Sequence, residues 1–188
     1  MKNSFIGQSW LVLALALGFG GALAGVEATL SDRIAENKLR ETLWQIPILV
    51  PGADTGHKTT IEGKTIFRAV DPDGKLAGWV VPGQGQGFAD TIELLIGLDV
   101  EARTITGLYV LAQKETPGFG NRITKDWWLA QFTGQAAGKP LTPTHTLAKP
   151  GEIQALTGAT ISSESVCWIV NETMADWAEV LRLHAQKE

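Results

Sequence analysis

The sequence has few of the side chains that form disulfide bonds or bind metal ions. It contains one cysteine, Cys167, and its three histidines, His57, His145 and His184, are far apart in a chain of 188 residues. One cysteine cannot form an internal disulfide, and zinc or iron–sulfur sites need clusters of cysteine or histidine. Cys167 lies in an apolar stretch, which favours a buried small residue over a reactive thiol. We therefore expect no metal site in this chain.

The sequence also lacks an excess of basic residues. Lys and Arg number 16 against 20 Asp and Glu, so the formal net charge is −4. Nucleic-acid-binding proteins, and proteins attracted electrostatically to lipid headgroups, carry basic patches. The composition therefore argues against both kinds of partner.

Charged residues are absent from residues 6–26, which are dominated by Leu, Ala, Gly and Phe. Such a run is long enough to span a bilayer. Lys2 precedes it and Glu27 follows it, so the positive-inside tendency places the amino end in the cytoplasm and the rest of the chain outside. We predict a transmembrane anchor over residues 1–28. A cleavable signal peptide with a cleavage pattern at residues 22–24 is the alternative, and it too would export the rest of the chain.

Residues 29–63 are predicted to form an amphipathic helix and a connecting loop. Apolar residues recur at helical spacing over Thr29–Gln45, Ser31 can cap the first turn, and Pro47 ends the pattern. Proline and glycine then indicate the loop. The remaining residues, 64–188, are enough for one globular domain.

Four strand-like segments occupy the centre of the chain. They are rich in Val, Ile, Thr and aromatic residues and cover Thr65–Val70, Leu76–Val81, Asp90–Leu98 and Thr104–Ala112. Helical patterns follow at Lys125–Phe132 and from Thr160 onward, with a loop or lid between them at Thr133–Pro150. This order predicts an α+β fold, with an antiparallel sheet of at least four strands flanked by helices and preceded by one transmembrane helix.

A glycine-rich segment, Gly83–Phe88, precedes a strand-like run instead of opening a helix. It therefore lacks the context of a dinucleotide-binding loop. We predict a mobile hairpin whose Gly87 and Phe88 approach the functional site. The seven tryptophans are interpreted mainly as core residues, although at most one of the adjacent Trp127 and Trp128 can face the core.

Residues 157–160, Thr-Gly-Ala-Thr, directly precede the last helix. Unpaired N–H groups and the positive end of the helix dipole favour an anion such as phosphate at this position. Gly158 and Ala159 also let a bulky ligand approach the backbone closely. A threonine before a helix is equally well explained as an N-cap, so this segment alone leaves both interpretations open.

A second segment, residues 115–123, reads Glu-Thr-Pro-Gly-Phe-Gly-Asn-Arg-Ile. Together the two segments resemble the FMN-binding domain of the membrane-anchored flavin subunits of Rnf-type and sodium-pumping NADH:quinone oxidoreductase complexes. That family carries E-T-P-G-x-G followed by [S/T]-G-A-T-x-[S/T], the resemblance covers nearly the whole chain, and the length fits the G subunit of the Rnf complex. The family usually has Asp three residues before the second motif, where this chain has Gln154. We expect this departure to affect recognition by the flavin transferase more than the binding fold.

The resemblance implies that FMN is joined through its phosphate to Thr160, the last residue of Thr-Gly-Ala-Thr. It places further phosphate contacts at Thr157, Gly158, Ala159, Ser162 and Ser163, and contacts to the flavin ring or ribityl chain at Glu115, Thr116 and Gly118. It implies no catalytic residue. On the residues alone, Thr-Pro-Gly at 116–118 is also explained as a tight turn.

The resemblance further implies an electron-relay subunit of an Rnf-type ion-translocating complex, without turnover of its own. Such a subunit lies in the inner (plasma) membrane with its domain outside the cytoplasm. It needs the other membrane and redox subunits as partners and a flavin transferase for maturation. Two alternatives stay open: a stand-alone extracytoplasmic FMN reductase acting on a small acceptor, and a flavin-free binding module in which Thr160 only caps a helix.

Overall fold

The computed structural model describes residues 5–146 and 148–185, with side chains from residue 9 onward, and divides into two compact units, residues 1–40 and 41–188. The first helix, α1, covers Phe5–Leu49 and therefore belongs to both units. Among the described residues it is the one helix whose length and composition would allow it to cross a bilayer, a test that a signal sequence near the N-terminus also passes. Lys2, on which the predicted orientation depends, lies outside the described residues.

Helix α1 corrects the predicted start and end of the amphipathic helix Thr29–Gln45. The helix passes through Ser31 without a break, and the Ser31 hydroxyl donates to the carbonyl of Ala28 at 3.4 Å instead of capping a new turn. Residues between the apolar run and Pro47 are mostly good helix formers, so no residue stops the helix earlier. Pro47 lies inside the last turn, where its missing N–H removes one bond close to the end of the ladder.

Five antiparallel strands form the main sheet in the order of the chain. Their bounds are β1 Thr55–Ile61, β2 Lys64–Val70, β3 Leu76–Gln86, β4 Thr91–Leu98 and β5 Ile105–Ala112. The four predicted strands are confirmed. Strand β1 was not predicted because its sequence, Thr-Gly-His-Lys-Thr-Thr-Ile, is mostly polar. It is an edge strand joined to β2 through Glu62 and Gly63, whose φ angles of 51° and 77° suit a type I′ hairpin.

Strand β3 is longer than predicted and includes most of the segment Gly83–Phe88. The predicted hairpin is present, because β3, a turn and β4 form it, and its mobility stays a prediction. Residues 83–86 pair with residues 91–94 of β4. The turn is confined to residues 87–90, where the Gly87 N–H donates to the Asp90 carbonyl at 2.9 Å.

Short elements follow the sheet. They are a 3₁₀ turn at Gly120–Thr124, helix α2 at Asp126–Leu129, a 3₁₀ turn at Ala130–Phe132, and the parallel pair β6 Thr142–Thr144 and β7 Glu152–Gln154. The predicted helix Lys125–Phe132 is thus confirmed as α2 and its 3₁₀ extension. Trp128 is buried and its Nε1 donates to the Gln154 carbonyl at 2.8 Å, whereas Trp127 is exposed, so one tryptophan of this pair faces the core as expected.

The last helix, α3, covers Thr160–Ala185 and packs against the main sheet, chiefly β3. The apolar residues that predicted it are all buried: Val166, Ile169, Val170, Met174, Trp177 and Leu181. Glycines of β3 allow α3 to approach closely, because a Cβ on Gly85 would lie 2.7 Å from both Ile169 and Trp168 side-chain atoms. A second apolar cluster, which includes Ile46, Leu49 and Val50, covers other sheet residues. The α+β fold with an antiparallel sheet is confirmed.

Candidate functional site

The two sequence motifs and the β3–β4 turn meet around one cavity of about 330 Å³. We call it the motif cavity. Its lining residues come from the turn, from the first motif and from the start of α3: Phe88, Thr116, Phe119, Gly120, Gly158, Ala159, Thr160, Ile161 and Ser162. Phe88 lines this cavity, and both motifs contribute to one concave surface. The approach of Gly87 and Phe88 to a bound ligand stays a prediction.

The start of α3 is fixed by hydrogen bonds just before Thr160. The Ala159 carbonyl accepts the Ser163 N–H at 3.0 Å and the Ser163 hydroxyl at 2.9 Å. The Ser163 hydroxyl in turn accepts the Leu156 N–H at 3.0 Å, which ties the helix to the loop before it. Since α3 begins at Thr160, the first N–H groups of the helix have no acceptor within it. These groups and the helix dipole make this end of the cavity suitable for a phosphate.

The hydroxyl groups near the start of α3 differ in their accessibility. Ser162 is 2% exposed and donates a short hydrogen bond to Glu115 Oε2, and Ser163 is fully buried. Both hydroxyls therefore serve the fold in the described arrangement, although the sequence suggested them as phosphate donors. Thr160 is half-buried and lines the motif cavity, whereas Thr157 is exposed and lies outside the lining. Thr160 is the threonine of its motif that the cavity reaches.

Glu115 is buried, at 3% exposure. Its Oε1 accepts the Ala89 N–H at 3.0 Å and its Oε2 accepts the Ser162 hydroxyl. Two glycines make room for it, because a Cβ on Gly87 would clash with Oε1 and a Cβ on Gly120 would lie 2.9 Å from the Glu115 Cβ. Glu115 thus lies behind the cavity wall and joins the segments that form it.

Residues 116–121 form a compact turn. The Thr116 carbonyl accepts the N–H groups of both Phe119 and Asn121 at 3.2 Å. Gly118 has a φ of +79°, as its position after Pro117 requires, and its N–H donates to Asn121 Oδ1 at 2.8 Å. Thr116 lines the cavity but Gly118 does not, so the Gly118 N–H serves the turn in this arrangement.

Three exposed apolar side chains surround the cavity. Phe88 is 61% exposed, Phe119 56% and Ile161 52%. Phe119 and Ile161 were not predicted as site residues. Each is an apolar residue at the variable position of a motif, and this position could have indicated a contact with an apolar ligand. Their exposure leaves an apolar surface of the kind that an aromatic ligand can cover.

Arg122 adds a positive charge beside the second motif. Its Nη1 lies 3.5 Å from the Thr157 carbonyl, and its guanidinium lies 5.8 Å from the ring centroid of the exposed Trp127. Gln154 has an exposed side chain, while its main chain bonds to Trp128 and Gln131.

Comparison with known protein families gives a match to an FMN-binding domain over residues 87–175. The G subunit of the proton-translocating ferredoxin:NAD(+) oxidoreductase complex of Clostridium ljungdahlii is 33% identical over 155 residues, which are 82% of each chain. The G subunit of the ion-translocating oxidoreductase complex of Methanosarcina acetivorans is 35% identical over 115 residues, 60% of this chain. That match spans 59% of the Methanosarcina protein, less than two thirds of its length.

Two solved structures share the fold. Shewanella oneidensis NqrC superposes with a TM-score of 0.57 and 21% identity, over 75% of this chain and 73% of that one. The C subunit of the Na(+)-translocating NADH-quinone reductase from Parabacteroides distasonis gives a TM-score of 0.54 and 22% identity, over 62% of each chain. The matched FMN-binding region includes both motifs and every residue that lines the motif cavity.

Proposed function

The chain belongs to the family of G subunits of ion-translocating oxidoreductase complexes, and from that premise we propose that it holds FMN in the motif cavity and relays electrons within such a complex. The observation that carries the proposal is the meeting of both motifs around one cavity at the start of α3. Bound FMN would supply the electron-transfer chemistry, and the protein its position and electrostatic surroundings.

The described residues fit FMN in size and in chemical character. A cavity of about 330 Å³ lies within the range of small-molecule sites. The first N–H groups of α3 suit the phosphate, and Phe88, Phe119 and Ile161 suit the aromatic ring system. The cavity thus combines a polar end with an apolar opening, as an amphipathic cofactor requires.

Thr160 is the proposed attachment residue. It lines the cavity, whereas the hydroxyls of Ser162 and Ser163 are buried and bonded within the protein. In the proposed modification, Thr160 Oγ forms a bond to the flavin-side phosphorus of a flavin dinucleotide. The phosphorus–oxygen bond to the leaving nucleoside monophosphate breaks, and the hydroxyl proton is released. A flavin transferase would supply this step.

Other residues of the two motifs would support the bound group without forming a bond to it. Gly158 and Ala159 allow the phosphate to approach the backbone before α3, and Thr116 lies on the opposite wall of the cavity. Thr157 and Gly118 directly precede the lining residues Gly158 and Phe119 in the chain and do not line the cavity themselves. A covalent link would hold the cofactor at an effective concentration that a weak noncovalent site does not reach.

We place the domain outside the cytoplasm, held at the membrane by residues 1–28 and assembled with the other subunits of its complex. The length and apolar composition of α1 support an anchor. The names of the relatives, which are subunits of oxidoreductase complexes, support assembly with other subunits. In this arrangement the chain passes electrons on and has no substrate turnover of its own.

The test is the intact mass of the full chain purified from a host that has a flavin transferase. We expect one additional FMN less one water, and flavin fluorescence that persists through denaturing gel electrophoresis. A chain of unmodified mass that binds no flavin would refute the proposal. A chain that binds FMN but loses it on denaturation would refute only the covalent link.

A further inference from the structure

Glu115 has an unusual environment for an acidic side chain in a protein of this size. It is 3% exposed, and its carboxylate accepts hydrogen bonds from the Ala89 N–H and the Ser162 hydroxyl. Burying a carboxylate costs free energy unless hydrogen bonds compensate the charge. Here each carboxyl oxygen of Glu115 has a specific hydrogen-bond partner in the fold.

The partners of Glu115 lie on three separate segments. Ala89 belongs to the β3–β4 turn, Glu115 itself precedes the turn at 116–121, and Ser162 belongs to the first turn of α3. Each of these segments contributes lining residues to the motif cavity. Gly87 and Gly120 lack the Cβ atoms that would displace the carboxylate. One side chain thus connects every wall of the cavity from behind.

We propose that Glu115 is a positioning residue for flavin attachment, which sets the walls of the motif cavity and engages the Ser162 hydroxyl so that Thr160 alone is presented as the acceptor. This inference rests on the proposed function. It differs from a direct contact with the flavin ring, because the carboxylate lies behind the wall and both of its oxygens have partners in the protein.

The direction of the hydrogen bond between Ser162 and Glu115 is the feature that the test changes. A carboxylate only accepts, so the Ser162 hydroxyl must donate to Glu115 and its proton is directed away from the cavity. A carboxamide can donate through its nitrogen. In a Glu115→Gln variant the amide oxygen can still accept from Ala89 while the nitrogen donates to Ser162, which frees the Ser162 proton for another acceptor. The size of the side chain is kept, and only the direction of the bond changes.

The experiment measures the initial rate of FMN attachment to the full chain in detergent, with purified flavin transferase and a flavin dinucleotide donor, by intact mass. The variants are Glu115→Gln, Ser162→Ala and the double variant. The control is Glu164→Gln, which removes an exposed carboxylate from the same end of α3 and does not line the motif cavity. Thermal unfolding of each unmodified variant is measured in parallel.

We expect Glu115→Gln to lower the attachment rate at saturating donor by about tenfold, since a buried hydrogen-bond partner is disturbed. Glu164→Gln should stay within about twofold of the wild type because exposed charges act weakly. If Glu115 acts through Ser162, the double variant is no slower than Glu115→Gln alone. A loss confined to the KM for the donor would contradict positioning of the acceptor.

A rate for Glu115→Gln equal to that of the Glu164→Gln control would overturn this inference, and so would additive losses in the double variant. If Glu115→Gln fails to fold, Ser162→Ala carries the test, because it removes the bond through which Glu115 holds the start of α3 against the cavity wall. An attachment rate equal to that of the wild type then overturns the inference. Failure of the proposed function looks different, because the wild-type chain itself would gain no flavin mass.

Discussion

The ring of Phe119 lies against the backbone of Gly158, so that a Cβ on Gly158 would be 3.0 Å from the Phe119 Cδ1 atom. Gly158 also has a φ of +81°, a conformation that residues with a side chain rarely adopt. The two motifs therefore meet through direct contact between an aromatic ring and a glycine.

Gly158→Ala should destabilise the domain through both effects. The left-handed conformation alone costs about 1–2 kcal/mol for alanine, and contact with Phe119 adds to it. Gly74→Ala is the matched control, because Gly74 has a φ of +79° and open space around its Cβ position. Thermal unfolding should show the larger loss for Gly158→Ala, at about 2–4 °C for each kcal/mol. Equal losses would mean that Phe119 moves aside without cost.

Thr160→Ala should abolish covalent flavin, since among the described residues no other hydroxyl at the start of α3 lines the cavity without a partner inside the fold. Thr133→Ala is the control, and it should keep the flavin because Thr133 is exposed, does not line the cavity and lies outside both motifs. In-gel flavin fluorescence and intact mass are the measurements. Retention of one covalent FMN by Thr160→Ala would move the attachment to another residue.

Phe119→Ala should leave the covalent link in place and change the surroundings of the flavin ring. We expect a shifted visible absorption spectrum and altered flavin fluorescence in the folded protein, because an apolar wall is replaced by water. Trp44→Ala is the control, since Trp44 is 74% exposed and does not line the motif cavity. Identical spectra for the wild type and Phe119→Ala would place the ring elsewhere.

Cys167 should be unreactive in the folded protein at pH 8. Burial, with a smaller contribution from the Glu164 charge, raises the pKa of the Cys167 thiol to about 12. The thiol therefore stays protonated well above the usual range of about 8.5. Iodoacetamide followed by mass spectrometry should modify the chain only after denaturation. Rapid modification of the native chain would show that this part of α3 opens.

The isolated, flavin-loaded chain should undergo reversible reduction without sustained turnover of added small acceptors. This outcome separates a relay from a stand-alone reductase. The measurement is the flavin absorbance during stepwise reduction and reoxidation, followed by an assay of donor consumption with excess acceptor. Steady donor consumption at a rate comparable to that of known reductases would favour the reductase.

The sequence predicted the strands that are rich in β-branched residues and the helix with a regular apolar spacing. Strand β1 was not predicted, because its own residues are mostly polar and it is stabilised by pairing with β2. The continuity of α1 was not predicted either. Ser31 and Pro47 were predicted from the sequence to be helix boundaries, but the helix continues through both residues.

The motifs predicted which segments form the site, but not how each side chain is used. Burial of Glu115 depends on the positions of Gly87 and Gly120, which come together only in the folded domain. The same applies to Ser162 and Ser163, whose hydroxyls were predicted to contact the phosphate beside Thr160 and are instead buried. Their separation into buried and accessible groups follows from the direction in which α3 begins.

Helix α3 rests on the bare backbone of β3 at Gly85, where its neighbours Trp168 and Ile169 leave no space for a methyl group. At this point the distance between the helix and the sheet is therefore limited by the backbone of β3 and not by a side chain. A methyl group at this position would push the helix away from the sheet. Because Thr160 is the first residue of α3, about two turns from Trp168 and Ile169, the depth of the motif cavity depends on Gly85, a residue that does not line it.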